Sequence, residues 1–180
     1  QMTSAYEFFQ FWLNSEDSDL PKLLKVFSMK SRAEIEELIE AVKTDPGARQ
    51  AHRELAREMT TLIHGAGMAK KVEEAAKALF GQGEISDLEL STLDAALGQL
   101  PKTTIKKGDA FPSWIELLVA TGVVDSKSAA RRIVNEGGAY LNNKRVESED
   151  FTPSKSDLLQ GKYLLLRKGK RDLAAVEIVG

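Results

Sequence analysis

Cysteine is absent from the 180 residues. That removes disulfides, thiolate nucleophiles and cysteine-based zinc sites together, and it accords with a reducing compartment. Histidine is nearly absent as well: His52 and His64 stand alone, so solvated or hydrogen-bonded side chains are expected rather than metal ligands, and no metal site is expected. No run approaches the roughly eighteen apolar residues of a membrane span, and no charged start leads into an export signal. A cytoplasmic protein that does not enter a membrane is expected, and 42% hydrophobic with 29% charged residues is the profile of a soluble globular chain. Gln1-Met2 opens directly into a helix-like segment, as a piece cut from something longer would. Gly65-x-Gly67 lacks the third glycine of a dinucleotide loop and follows a helix where a strand is required. Glu36-Glu37 and Glu73-Glu74 read as solvated helix faces, because adjacent positions point about 100° apart, poor geometry for an acid/base pair.

Net charge of one sign is also scarce, at −2 overall, which by itself argues against a strongly basic nucleic-acid binder. The average conceals a division. From Lys102 onward there are 14 Lys+Arg against 10 Asp+Glu, leaving 11 against 17 before it. Such asymmetry directs the search for a polyanion partner to the C-terminal part.

What the chain has in quantity, up to about residue 99, is helix signal. Ser4-x-x-Glu7, Ser31-x-x-Glu34 and Ser86-x-x-Glu89 each place a hydroxyl three residues before a carboxylate, the arrangement that caps a helix start reciprocally. Ile35, Leu38, Ile39 and Val42 draw one apolar stripe, and Leu55, Met59, Leu62 and Ile63 another, both expected in a bundle core. Pro46-Gly47, Gly65-Ala66-Gly67 and Gly81-Gln82-Gly83 punctuate five or six short helices. The first, SAYEFFQFWLN, carries Phe8, Phe11 and Trp12 on one face and Tyr6, Phe9 and Leu13 on another, more apolar surface than one bundle contact requires. Either this helix is central to its own core, or one face docks on a domain N-terminal to it.

Leu100-Pro101-Lys102-Thr103-Thr104 reads as a linker, after which the pattern changes. Pro112-Ser113 opens a helix that Gly122 closes, and a second begins at Ser126. Beyond Gly138 the sequence alternates through AYL, a turn at Asn142-Asn143 and KRV, and later through YLLLRKGKRDLAAVEI, two apolar runs around a basic turn. The expected architecture is α+β: an N-terminal helical bundle over 1–101, followed by a small α+β domain over 102–180.

The helix from Lys127 to Glu136 sorts by charge. Lys127, Ser128, Arg131, Arg132 and Asn135 share one arc, while Ala129, Ala130, Ile133 and Val134 share the opposite one. Lys144 and Arg145 follow on a hairpin, and Arg167, Lys168, Lys170 and Arg171 surround Gly169 at another hairpin tip. Phosphates spaced along a nucleic-acid backbone call for separate cations on rigid elements, which this set supplies. From pattern alone, an ordinary basic surface accounts for it equally well.

SKSAARRIVNEGGAYLNNKRV, residues 126–146, resembles the core of the S-four-type RNA-binding domain, whose usual form is S-K-S-x-A-R-x-x-I-x-x-G-x-V-x-V-N-G. SAYEFFQFWLNSEDSD, LAREMTTLIHG and ALFGQG resemble, in the same order, the helical segment after the catalytic domain of bacterial tyrosyl-tRNA synthetases, and YLLLRKGKRDLAAVEI resembles their C-terminal end. The resemblance implies a helical anticodon-binding domain and an S-four-type RNA-binding domain that together hold the anticodon stem and long variable arm of tyrosine tRNA. It further implies that ATP and tyrosine belong to a nucleotide-binding domain outside this stretch: neither a HIGH tetrapeptide nor a KMSKS loop occurs in the sequence, so no catalytic residue, no bound cofactor and no tyrosine activation is expected of this chain itself. The family also implies a homodimeric parent, and a catalytic domain packed near Tyr6, Phe8, Phe9, Phe11 and Trp12. Carried over by position, Lys127, Ser128, Arg131 and Arg132 match the basic helix, Asn142, Lys144 and Arg145 the hairpin, and Arg167, Lys168, Lys170 and Arg171 the basic end. Glu16, Asp17 and Asp19 align with the region near the anticodon, where a carboxylate can accept from a guanine edge. Asn143 departs from the usual turn glycine, and Asp172 interrupts the final basic run. The rival readings are an S-four-type protein of ribosomal RNA and a helical scaffold for protein partners.

Overall fold

The computed structural model describes residues 3–180, which pack as two compact units, one up to Glu74 and one over Ala75–Gly180. In the first, α1 (Ala5–Leu13), α2 (Leu20–Phe27), α3 (Arg32–Thr44) and α4 (Gln50–His64) follow one another, with a short 3₁₀ turn at Pro46–Ala48 before α4; α5 (Ala66–Leu79) runs through the division. Ser4 and Ser31 form reciprocal caps with Glu7 and Glu34, as their spacing predicts. α4 is the central helix: α1, α2 and α3 all pack on it. Phe9, Leu20, Leu24, Leu55 and Ala56 are fully buried.

Trp12 joins Tyr6 and Phe9 on the buried side of α1, instead of sharing a face with Phe11, which stays 68% exposed. Leu62 and Ile63 are a correction to the expected stripe. The buried face of α4 is Ala51, His52, Leu55, Ala56, Met59 and Thr60, and both later residues are exposed. Helical spacing does carry Leu62 onto the face of Leu55, so the stripe is continuous; what ends is the covering, which the sequence pattern does not encode.

The second unit holds α6 (Leu90–Leu97), β1 (Lys102–Lys106), α7 (Trp114–Ala120), α8 (Lys127–Asn135), β2 (Ala139–Leu141), β3 (Lys144–Arg145), β4 (Tyr163–Lys168) and β5 (Asp172–Val179). Ser86-x-x-Glu89 does not cap. Ser86 lies inside a 3₁₀ turn, and Glu89 occupies the N-cap of α6 itself, with no side-chain capping bond. The expected linker at Leu100–Thr104 is likewise corrected: Lys102–Lys106 pairs in parallel with Ala175–Val179, closing the sheet order β1-β5-β4-β2-β3. Thr103, Thr104 and Ile105 suit a strand, and its partner lies more than seventy residues away, beyond the reach of local pattern.

The sheet is covered on both faces in its centre. Leu164, Leu166, Ala174 and Val176 face a core with Trp114, Leu117, Leu118, Ala130 and Val134 of α7 and α8, and the alternate residues Leu165 and Ala175 are buried on the other side. On that second side Asp94 of α6 accepts from Tyr163 Oη at 2.6 Å and from Lys162 Nζ at 2.9 Å, while Glu177 accepts from Lys102 Nζ at 2.9 Å. The phenol and ammonium hold the Asp94 carboxyl below its ordinary range; burial, with Asp94 beside it, pushes the Tyr163 phenol up to about 12. α6 is thereby tied to the start of β4, and β1 to β5, by charge-assisted bonds.

Candidate nucleic-acid interface

Three backbone features gather the cations of the second unit. Ser126 caps α8 by accepting from the Ala129 N–H, and Gly137, at φ +73°, ends the helix with the left-handed turn that favours glycine. Its missing side chain matters too, since a Cβ there would enter the Arg145 guanidinium. Asn142 and Asn143 both have positive φ, 48° and 66°, the geometry of a two-residue hairpin whose twist matches the strands. Gly169, at the tip between β4 and β5, donates its N–H to Gly138 O at 2.7 Å. The end of α8, the edge strand β3 and the β4–β5 tip therefore meet around Gly137-Gly138, bringing Arg132, Arg145, Lys168, Lys170 and Arg171 to neighbouring elements.

Within this set the cations differ in what holds them. Lys127 pairs with Glu116 at 2.9 Å, Arg131 with Glu149 at 3.4 Å, Arg132 with Glu136 at 3.9 Å and Lys168 with Asp172 at 2.9 Å. The expected all-positive arc is thus partly neutralised, by Glu116 and Glu149 from other segments and by Glu136 at the helix's own end. Lys127 in turn holds the Glu116 carboxyl below its usual value. Such exposed pairs contribute little stability, so a phosphate can take the place of the carboxylate. Lys144, Arg145, Lys170 and Arg171 have no carboxylate partner among the described residues and are exposed. Ser128 is exposed beside Lys127.

Arg167 and Asn142 are built into the fold. Arg167 stacks on the Tyr140 ring, its Cζ 3.9 Å from the centroid, and donates to Gly169 O at 2.9 Å. Arg167, Tyr140 and Arg145 are successive cross-strand partners, so the three side chains form one row on one face of the sheet. Sequence reasoning missed Tyr140; the signal was an aromatic in a short strand flanked by arginines. Asn142 donates its amide to Asp157 O at 2.6 Å and accepts from the Leu165 N–H at 2.8 Å, so the turn residue clamps β4 rather than presenting a free amide. Asn143 donates to Ala78 O at 2.6 Å. Lys168 also donates to Val123 O at 3.1 Å, which ties the hairpin to the α7–α8 connection.

In the first unit the acidic group lies in the loop between α1 and α2. Asp17 Oδ1 sits 3.0 Å from His52 Nε2, which also faces Ser15 O at 3.1 Å. His52 is buried, and burial, with Arg49 beside it, holds its pKa below the ordinary histidine value, so the ring is a neutral donor shared by two oxygens. Glu16 and Asp19 remain exposed, and Asp19 occupies the N-cap of α2 without a side-chain capping bond. Phe11, Trp12 and Phe27 form an edge-to-face ring series in which Phe11 and Phe27 stay exposed, while Phe8 meets His64 edge-on at 5.4 Å. Among the described residues no cluster of acids and histidines suits a metal, and no helix is long and apolar enough to cross a membrane.

Comparison with known proteins gives a consistent result. Residues 1–81 match the family of class I tRNA synthetases (W and Y), and residues 92–176 match the tyrosine–tRNA ligase SYY-like C-terminal domain. The tyrosine–tRNA ligase of Streptomyces avermitilis is 51% identical over 180 residues, covering all of this chain and 42% of the relative. That of Thermobifida fusca is 48% identical, covering 98% of this chain and 41% of its own. The chain thus spans less than half the length of the curated relatives it matches. Among solved structures, a tyrosyl-tRNA synthetase C-terminal domain in solution is 24% identical with a TM-score of 0.42, covering 54% of this chain and 96% of that one. A truncated mitochondrial tyrosyl-tRNA synthetase of Aspergillus nidulans is 35% identical with a TM-score of 0.42, covering 44% of this chain and 23% of that one.

Proposed function

Because the chain belongs to the tyrosyl-tRNA synthetase family and corresponds to its C-terminal region, we propose that it holds tyrosine tRNA by the anticodon stem and long variable arm. The observation that carries this reading is the convergence of α8, β3 and the β4–β5 tip on Gly137-Gly138. Cations fixed on three elements, several of them free of carboxylates, suit phosphates of a folded RNA better than they suit generic solubility. Lys127, Ser128, Arg131, Arg132, Lys144, Arg145, Lys168, Lys170 and Arg171 contact phosphate and ribose, while Arg167 and Asn142 position them. Residues 1–101 act as the anticodon-binding part and 102–180 as the S-four-type part. Glu16 or Asp19 meets the anticodon, because Asp17 is engaged by His52. In the full-length cytoplasmic enzyme, a homodimer, ATP and tyrosine bind to a catalytic domain that packs near the aromatic α1, where Phe11 offers an uncovered ring; this stretch contributes binding, not tyrosine activation.

Filter binding to tyrosine tRNA, with and without its variable arm and against a ribosomal RNA fragment, tests the reading. Tighter, salt-sensitive binding to the intact tRNA is expected. Preference for the ribosomal fragment would favour the ribosomal rival, and affinity indifferent to salt would favour a protein scaffold.

A further inference from the structure

A cavity of about 540 Å³ opens along β3 in the second unit, bounded by the β2–β3 hairpin, the segment from Glu147 to Gln160 and the turn at Glu84–Ser86. Its size falls within the range of small-ligand sites. β3 is the last strand of the sheet. Lys144 pairs with Leu141 and the Val146 N–H donates to Ala139 O, so alternation turns the backbone N–H and C=O of Arg145 toward the open edge. Phe151, Leu158 and Leu159 supply apolar wall. Of three lining carboxylates, Asp157 is taken by the Ser154 N–H and hydroxyl, both at 2.8 Å, which leaves Glu84 and Glu147 as acceptors. Lys144 and Arg145, exposed and without carboxylate partners, also line the cavity.

This division of charge selects a ligand. An anion is repelled by Glu84 and Glu147 but held by Lys144 and Arg145, whereas a neutral group rich in N–H donors is welcome at the carboxylates. One molecule with an anionic end, a flat apolar body and a donor edge meets all three demands. We propose that the cavity takes one unstacked nucleotide of the bound RNA, guanosine by preference, with its phosphate at Lys144 and the backbone N–H of Arg145 and its N1–H and amino group on Glu84 or Glu147. Guanine presents two parallel donors on its pairing edge where uracil presents one, and splayed-out bases are what proteins read in RNA. The inference rests on the proposed function, because it makes the cavity a reading site within the same interface.

Amide NMR of the full chain, titrated with guanosine monophosphate, uridine monophosphate and inorganic phosphate in turn, provides the test. Saturable shifts at Arg145, Glu147 and Gln160 are expected with the guanosine nucleotide, at least severalfold weaker with uridine and absent with phosphate alone. Ser148→Trp, and independently Ser156→Trp from the facing wall, should abolish those shifts, weaken tyrosine tRNA binding about tenfold and lower its salt slope by about one, as the loss of one seated base with its phosphate would. If both variants bind the tRNA as tightly as the unaltered chain, or if phosphate alone or an extended peptide reproduces the shifts, the inference is overturned while the proposed function stands. If the unaltered chain seats guanosine monophosphate but does not bind tyrosine tRNA, the proposed function fails and the RNA role of the cavity fails with it.

Discussion

The two compact units answer the same requirement, burying enough apolar surface, by different means. The first packs α1, α2 and α3 around α4 and leaves Phe11, Val26, Met29, Leu62 and Ile63 exposed. The second covers its sheet on both sides, so that four consecutive residues of β4 are buried, and adds a charged tie between Asp94 and Lys162. The only two histidines lie in the first unit, and Arg145, Lys170 and Arg171, none of them paired with a carboxylate, gather around Gly137-Gly138 in the second. A sheet with local hairpins can fix cations from separate elements at set spacing, whereas a short helix pair offers apolar faces more readily than fixed arrays.

The sharpest way to break this contrast is to open one core. Trp114→Ala should destabilise the second unit by about 3–5 kcal/mol, since the ring is fully buried between α7 and the sheet. Residue-resolved urea unfolding should show the transition of residues 3–74 moving far less; equal movement would make the two units one cooperative body.

Next in size is the effect of charge. Lys170→Ala with Arg171→Ala should lower tyrosine tRNA affinity about tenfold at low salt and reduce the salt slope by about two. Arg131→Ala with Arg132→Ala should lower it severalfold with thermal stability nearly unchanged, less because both arginines already face carboxylates. A large melting-temperature loss in either pair would make these side chains structural.

The pH response should separate the units. His52 has its pKa held below the ordinary value in the folded chain, so below about pH 6.5 the unfolded chain binds a proton that the native one refuses. Stability of the first unit should therefore decline as pH falls from about 7 toward 5.5. Asp94 and Glu177 also have lowered pKa values, which make their contribution present above the unfolded carboxyl value and lost only as pH falls through the folded one. The second unit should hold until about pH 4. Urea midpoints across this range measure both, and a simultaneous decline would remove His52 as the cause.

The smallest effect is expected at Phe11→Ala, within about 0.5 kcal/mol, because the ring is 68% exposed. Loss beyond 2 kcal/mol would show that the ring series with Trp12 and Phe27 supports the core.

Helix starts at Ser4, Ser31, Ser113 and Ser126 and the turn at Asn142-Asn143 were legible in the sequence, because capping and positive φ are decided by residues within four positions of one another. The same holds for the cationic arc of α8, which follows from helical spacing alone. What only the tertiary structure decided were the long-range matters: the strand at Lys102–Lys106, the exposure of Leu62 and Ile63, the carboxylates of Glu149 and Glu116 set against α8, and the clamp of Asn142 on Leu165. Local sequence fixes which conformations a segment can adopt and which faces it presents. Which distant segment covers a face or neutralises a charge depends on contacts between residues tens of positions apart, and these form only when the chain has packed.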